Sequence, residues 1–401
     1  GLLALVGAFI YAELSNRMPK VGGQYAYIRE AYDPLLGFLY GWVSILVINA
    51  GGTAAVAVTF GKYFREFSRG TVPENVAAVS VVAALTAINC MGVRAGSGVQ
   101  SFFMVLRILA IAMIVCCGAW FLLRSPAAPH PNWHPLLDRP VSFDLFSVFG
   151  AALIPVMFAY GGWQTSNYVA SEIREPRRNL PKALVLGVIG IIVLYVSVNI
   201  IYVQVLTPVG LAATTTPASA VMHAALGDFG ATLVAIMIAI STLGFLSSAM
   251  LTYPRITFAM AQDGVFPAAF ARLGSNNRAP VAAIMLQGAI TITATLLGTF
   301  EQILNYVVVM DWLFFGLTAS CIFVFRRREA RAQEPTGEPV GFRVPGHPWT
   351  SGVFVLVAWL IVLNTIYKYP RNTGVAVGIL LAGVPVYYLL RRSATRSAGS
   401  E

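Results

Sequence analysis

The sequence predicts an all-α membrane protein that crosses the bilayer many times, and three observations carry this. Of the 401 residues, 57% are hydrophobic and only 11% charged, with a mean hydropathy of +0.72. That balance is foreign to a water-soluble domain of this length. Apolar runs of about the length needed to cross a hydrocarbon layer recur along the whole chain. The basic residues sit in short clusters between those runs, so the net charge of +10 reads as membrane topology and not as a nucleic-acid surface.

The chain opens without Met inside an apolar run, residues 1–13, shorter than the roughly 20 residues of a full span. It reads as an amino-terminally truncated chain. No basic region precedes the run and no cleavage site followed by a polar domain comes after it, so it is neither a signal nor a transit peptide. Ten full spans follow this partial one, at 35–61, 76–93, 98–123, 144–171, 183–206, 229–260, 280–298, 302–325, 351–367 and 373–390. The connectors 125–140 and 207–218 are rich in turn-forming residues, and neither is large enough for a soluble domain.

Alternate loops differ in basic content. One set carries Arg17, Lys20, Arg29, Arg94, Arg174, Arg177, Arg178, Lys182, Arg272, Arg278, Arg326, Arg327, Arg328, Arg331, Arg343, Arg391, Arg392 and Arg396; the other holds only Lys62, Arg65, Arg69, Arg124, Arg139, Lys368 and Arg371. The richer set is expected on the cytoplasmic side, with the carboxyl terminus. Arg107 and Arg255 fall within apolar runs instead.

The residue types that membrane enzymes and redox subunits place in their spans are missing. His130, His134, His223 and His347 lie in or beside loops, where they read as solvated or interfacial, and no HExxH or paired-Cys ligand pattern occurs. Neither a metal nor a cofactor is expected. Cys90, Cys116, Cys117 and Cys321 all lie in apolar runs and are expected to pack as small hydrophobes, without a disulfide.

The stretch LIPVMFAYGGWQTSNYVASEIREPRRNLPK, residues 153–182, departs from an ordinary span. Pro155 lacks an N–H, and Gly161 and Gly162 each weaken a helix by roughly 1 kcal/mol relative to Ala. Unwound backbone is tolerated in hydrocarbon only where it lines a cavity or is buried in protein, so the break predicts a polar site at mid-membrane depth. A helix stopping near Phe158 offers carbonyls suited to an ammonium, and a half-helix starting near Trp163 offers N–H groups and a positive dipole end. Such a gap suits a zwitterion, and discontinuous helices are a common way to build transporter sites. Packing aromatics are the plain alternative for Phe158, Tyr160 and Trp163.

Arg107, in VLRILAIAMIV, costs about 2.5 to 3.5 kcal/mol at the centre of a span on insertion scales. It is expected to face the bundle interior and contact backbone carbonyls near the site; snorkelling to the interface is the alternative. Ser241, Thr242, Ser247 and Ser248 could border an ion-site region or simply bond their own helix. Asn49, Ala50, Gly51 and Gly52 could line the pocket or let helices approach closely.

FAYGGW followed by SEIREPRRNLPKAL resembles the sixth-span signature of the amino acid, polyamine and organocation transporter superfamily, nearest its L-type amino acid transporter branch with bacterial relatives. The likeness runs through the whole chain. It includes FIYAELSNRMPKVGGQYAYIREAYDPLLGFLYGW, VQSFFMVLRILA, SSAMLTYPRITFAMAQDGVFP, NYVVVMDWLFFGLTASCIFVFRRR and FRVPGHPWTSGVFVLVAWLIVLNT. The resemblance implies an inverted five-helix repeat bundle in one transmembrane domain, 1–401. Within it, 1–123 would be the remainder of the first repeat, 144–325 the second, and 351–391 two additional spans. It also implies that Gly1 falls inside the second span, with the first span outside this sequence.

By the same resemblance the carbonyls of Phe158, Ala159 and Tyr160 would face the substrate ammonium, with Phe158 also a gate. Gly161 and Gly162 would permit the break, and Trp163, Gln164 and Thr165 would border the side-chain pocket. At Arg107 the superfamily often has a Lys whose charge stands in for a sodium ion; Arg keeps the charge but does not deprotonate, so sodium-independent transport is implied. The loop 62–75 lacks the Cys by which animal members tether a glycoprotein, so no disulfide-linked partner is expected.

The function expected is secondary transport of amino acids, neutral ones by default because no acidic residue stands in the break. A non-transporting amino acid receptor or a membrane enzyme subunit is the alternative.

Overall fold

A computed structural model describes residues 1–18, 22–91, 97–124, 142–274, 279–331 and 341–398. Among them the chain is helical, with no strand. His130, His134, Lys20, Arg94, Arg139 and Arg278 lie outside the described residues.

The described residues form fourteen α-helices: α1 (Leu2–Arg17), α2 (Gln24–Ala31), α3 (Pro34–Val43), α4 (Asn49–Phe67), α5 (Glu74–Cys90), α6 (Ser97–Arg124), α7 (Phe143–Ala159), α8 (Pro176–Ala213), α9 (Pro217–Thr252), α10 (Pro254–Gln262), α11 (Val281–Leu297), α12 (Phe300–Arg331), α13 (Trp349–Lys368) and α14 (Pro370–Ala398). Their starts follow local chemistry. Asp33 caps α3 by accepting from Leu35 N–H at 2.7 Å, with Pro34 next to it where a missing N–H costs nothing. Ser142 caps α7 by accepting from Leu145 N–H at 3.2 Å.

Among the described residues seven helical stretches are long and apolar enough to cross a membrane, and Glu74–Cys90, Ser147–Ala159 and Val281–Leu297 are shorter apolar helices. Together they coincide with the ten predicted runs. α1 corresponds to the partial run.

Boundaries differ from expectation in two places. The connector expected at 207–218 is partly helical: Thr207 breaks α8 at φ 60°, ψ 164°, and Pro208 opens a further helical segment to Ala213. Pro at a first helical position is favourable, which a turn-residue count misses. The span over 34–67 also loosens midway into a π-helical segment, Ser44–Ile48.

α12 is one of two largely enclosed spans, with 72% of its apolar window buried against 78% for the span over 34–67, and it packs on α13, α4, α14 and α7. α1 runs against α8, α6 lies between α8 and α9, and α5 bridges α4 and α11. Small residues allow the close crossings. A Cβ on Gly51 would lie 2.6 Å from Val307 Cγ2, and one on Gly244 2.5 Å from Phe103 Cβ. Large apolar side chains remain outward on α6, α8, α13 and α14, among them Leu123, Leu186, Leu363 and Leu381, as a lipid-facing surface requires. Cys321 is buried, but Cys116 is exposed on the outer face of α6 and Cys117 half-buried, so burial in the core holds for only part of the cysteine set. An apolar run marks a span without telling which of its faces meets lipid.

One end of the bundle is tied by Glu13. Its fully buried carboxylate accepts from Arg326 Nη2 at 2.6 Å, Arg17 Nη2 at 2.8 Å and Val344 N–H at 2.6 Å. Asn16 adds bonds to the Arg177 carbonyl (2.6 Å) and from Gly341 N–H (2.9 Å). Nearby, burial and then Arg326 hold the His347 pKa below the usual imidazole value, and its Nδ1 sits 3.1 Å from Ser351 Oγ.

Removing one member of a buried ionic cluster strands the others and typically costs about 3 to 5 kcal/mol. Glu13→Gln is therefore expected to lower the thermal unfolding temperature in detergent, whereas Glu329→Gln, on the exposed edge of the same cluster, changes it little.

Candidate functional site

α7 ends where the sequence breaks its helix. Pro155 lies inside it, and the α-helical ladder stops with Tyr160 N–H donating to the Val156 carbonyl at 3.0 Å. Gly161 N–H then donates to the Phe158 carbonyl at 2.9 Å, tightening the turn and leaving the Met157 carbonyl without that N–H. Gly162 takes φ +90°, where nothing but glycine sits without strain. The chain resumes as a 3-10 helix, Trp163–Glu172, in place of the expected α half-helix. Thr165 explains part of that choice: its N–H (3.1 Å) and hydroxyl (2.7 Å) both donate to the Gly162 carbonyl. A ten-residue 3-10 run is long for that conformation and marks a segment under constraint.

The break opens onto a cavity of about 490 Å³. Every residue singled out for the site lines it: Phe158, Ala159, Tyr160, Gly161, Gly162, Trp163, Gln164, Thr165 and, from α6, Arg107. Trp163 also packs as an ordinary aromatic, stacked on Phe315 (centroids 5.8 Å) and edge-on to Tyr11 (5.0 Å). Tyr160 meets Tyr195 edge-on at 5.2 Å. Buried polar atoms without partners mark the wall, Asn49 Nδ2 and Gln164 Oε1. Each costs free energy unless something in the cavity satisfies it.

Arg107 points inward and does not snorkel. Its Nε donates to Ser241 Oγ at 2.9 Å and its Nη2 to the Ser241 carbonyl at 3.1 Å. The carbonyl contact thus falls on α9 and not on the break itself. Of the other polar candidates, Ser248 lines the cavity and Ser241 reaches it only through Arg107. Thr242 bonds its own helix at the Ala239 carbonyl (2.8 Å). Asn49 and Gly52 line the cavity, while Gly51 serves the close approach to α12.

This break, closed in by helices from both halves of the sequence, is the setting in which likeness to known proteins is informative. Residues 1–389 match the amino acid permease family. The chain belongs to that family. Similar proteins include the large neutral amino acids transporter small subunit 2 of Mus musculus, 29% identical over 97% of this chain and 72% of that protein. The serine/threonine exchanger SteT of Bacillus subtilis is 27% identical over 98% of this chain and 87% of its own. The human cystine/glutamate transporter is 26% identical over 97% and 76%. These relatives are transporters, not enzymes.

Four polar lining residues of the permease escaped the sequence reading: Tyr195, Thr252, Tyr253 and Asp311. The aromatics and Thr252 carry no signal distinct from span packing. Asp311 did carry one, since it is an acid within the run 302–325.

Gly162→Ala is expected to strain the break by about 1 to 3 kcal/mol through its backbone alone, because open space surrounds the position. Substrate uptake should fall several-fold while the unfolding temperature in detergent moves little; unchanged uptake would show that the break tolerates a different backbone.

Proposed function

We propose that this permease is a secondary transporter that carries amino acids across the cell membrane by alternating access. The observation that supports it most directly is the broken α7, whose Phe158-to-Thr165 stretch lines a cavity in the helix bundle. Unwound backbone there offers carbonyls toward an ammonium and N–H groups toward a carboxylate, the two charges every amino acid carries. The relatives' own names all give amino acids, and two of the three give neutral ones: large neutral amino acids for one, serine and threonine for another, cystine and glutamate for the third. The substrate is a neutral amino acid on this reading.

Arg107 supplies a fixed positive charge in the cavity wall. Such a charge fills the electrostatic role of a bound cation, so transport needs no sodium, and a guanidinium does not release a proton near neutral pH. The carboxyl terminus faces the cytoplasm, on the side with the richer basic loops. The protein works without a disulfide-linked partner, since residues 62–75 contain no Cys.

Uptake and exchange in proteoliposomes test the reading. A panel of neutral amino acids should be moved equally with sodium or choline outside. No flux of any amino acid under imposed substrate and proton gradients refutes transport; strong sodium dependence refutes the role given to Arg107. Arg107→Gln should lower uptake at least about tenfold, the scale of one charged hydrogen bond, and Arg107→Lys should retain more.

A further inference from the structure

We propose that Asp311 is the counter-ion of the substrate's ammonium group and that, balanced by Arg107, it restricts the cavity to amino acids with uncharged side chains. This rests on the transporter reading above and adds to it the group that holds the ammonium.

Asp311 stands on α12, away from the broken helix in sequence, yet it lines the same cavity. Its Oδ2 lies 3.9 Å from the point a Cβ on Gly161 would occupy, and the Phe158 and Met157 carbonyl oxygens lie 3.1 and 3.9 Å from that same point. The carboxylate and the freed end of α7 therefore gather acceptors around one small volume, kept open because residue 161 has no side chain. Among the described residues Asp311 takes part in no hydrogen bond and no ion pair. An isolated carboxylate is among the costliest groups to keep inside a membrane protein, so its cation is expected from the cavity. A primary ammonium has three donors and suits a carboxylate and two carbonyls together.

Arg107 and Asp311 are the two charged side chains among the lining residues, they sit on different helices, and they form no ion pair with each other. With both ionised the wall is neutral overall. A zwitterion leaves it neutral. A basic amino acid adds an uncompensated positive charge, an acidic one an uncompensated negative charge, and each excess is expensive at low dielectric.

The test compares the full-length protein with Asp311→Asn and Asp311→Glu in proteoliposomes, using leucine, serine, arginine and glutamate as competitors, with unfolding temperatures in detergent as a folding check. The protein itself should prefer leucine or serine to arginine and glutamate. Asp311→Asn should weaken the neutral amino acids at least tenfold and shift the ratio of glutamate to leucine affinity toward glutamate, because the wall then carries net positive charge. Asp311→Glu should restore most of the neutral affinity. Wild-type affinity for leucine in the Asn variant, with or without a changed pH dependence, overturns the proposal. So does an equal loss for leucine and glutamate that Glu does not rescue. If the unaltered protein moves no amino acid at all, the transporter reading itself fails; if it moves them and Asp311→Asn changes nothing, only the counter-ion role is lost.

Discussion

Within hydrocarbon no water is available to satisfy a backbone amide, and this constraint orders the rest of the molecule. A helix that carries Pro155 and is interrupted at Gly161 and Gly162 cannot face lipid, because each unpaired group would cost several kcal/mol. It must be enclosed. α4, α6, α8, α9 and α12 all contribute to the wall of the cavity beside the break. Part of the backbone loss is recovered locally, by Gly161 N–H on the Phe158 carbonyl and by Thr165 on the Gly162 carbonyl. What those short bonds leave unmet is the chemical content of the site.

α12 connects that site to the ionic cluster at the bundle's end. Val307 and Asp311 reach the cavity, Phe315 stacks on Trp163, and Arg326 holds Glu13 on α1. These residues lie on a single continuous helix. The α1 residues that answer them are arranged in the same order: Gly7 accepts the edge of the Trp163 indole, where a Cβ would stand 2.9 Å away, Tyr11 meets that ring edge-on, and Glu13 takes Arg326. The packing of α1 and α12 is thus specified from the cavity outward, by aromatic contact near the break and by charge at the far end.

The fold was legible because hydrophobicity and length report membrane crossing directly; the ten runs read from sequence coincide with helices, including three short ones. The break was legible because Pro155 and the Gly pair are local signals with local consequences. Its continuation was less so. Whether Trp163–Glu172 would be α or 3-10 depends on Thr165 folding back on Gly162, and nothing in the residue types requires it. Tyr195, Tyr253 and Asp311 were not assembled into the site because they come from α8, the junction of α9 and α10, and α12, and a cavity shared between distant helices is a tertiary property.

Asp311 and Arg107 show how two readings of one sequence can be incomplete in opposite directions. The absence of an acid from the break argued for a neutral substrate, yet the cavity does contain a carboxylate. Taken alone, that carboxylate would argue for a cationic substrate. Arg107 lines the same space, held by Ser241 and not by Asp311, so with both ionised the wall carries both signs and no net charge. Because the two charges do not neutralise each other by direct contact, each remains available to a ligand bearing the opposite sign. On the proposed reading a zwitterion enters and leaves without changing the net charge of the enclosed space, and a neutral preference would follow from a balance of two charges instead of the lack of any.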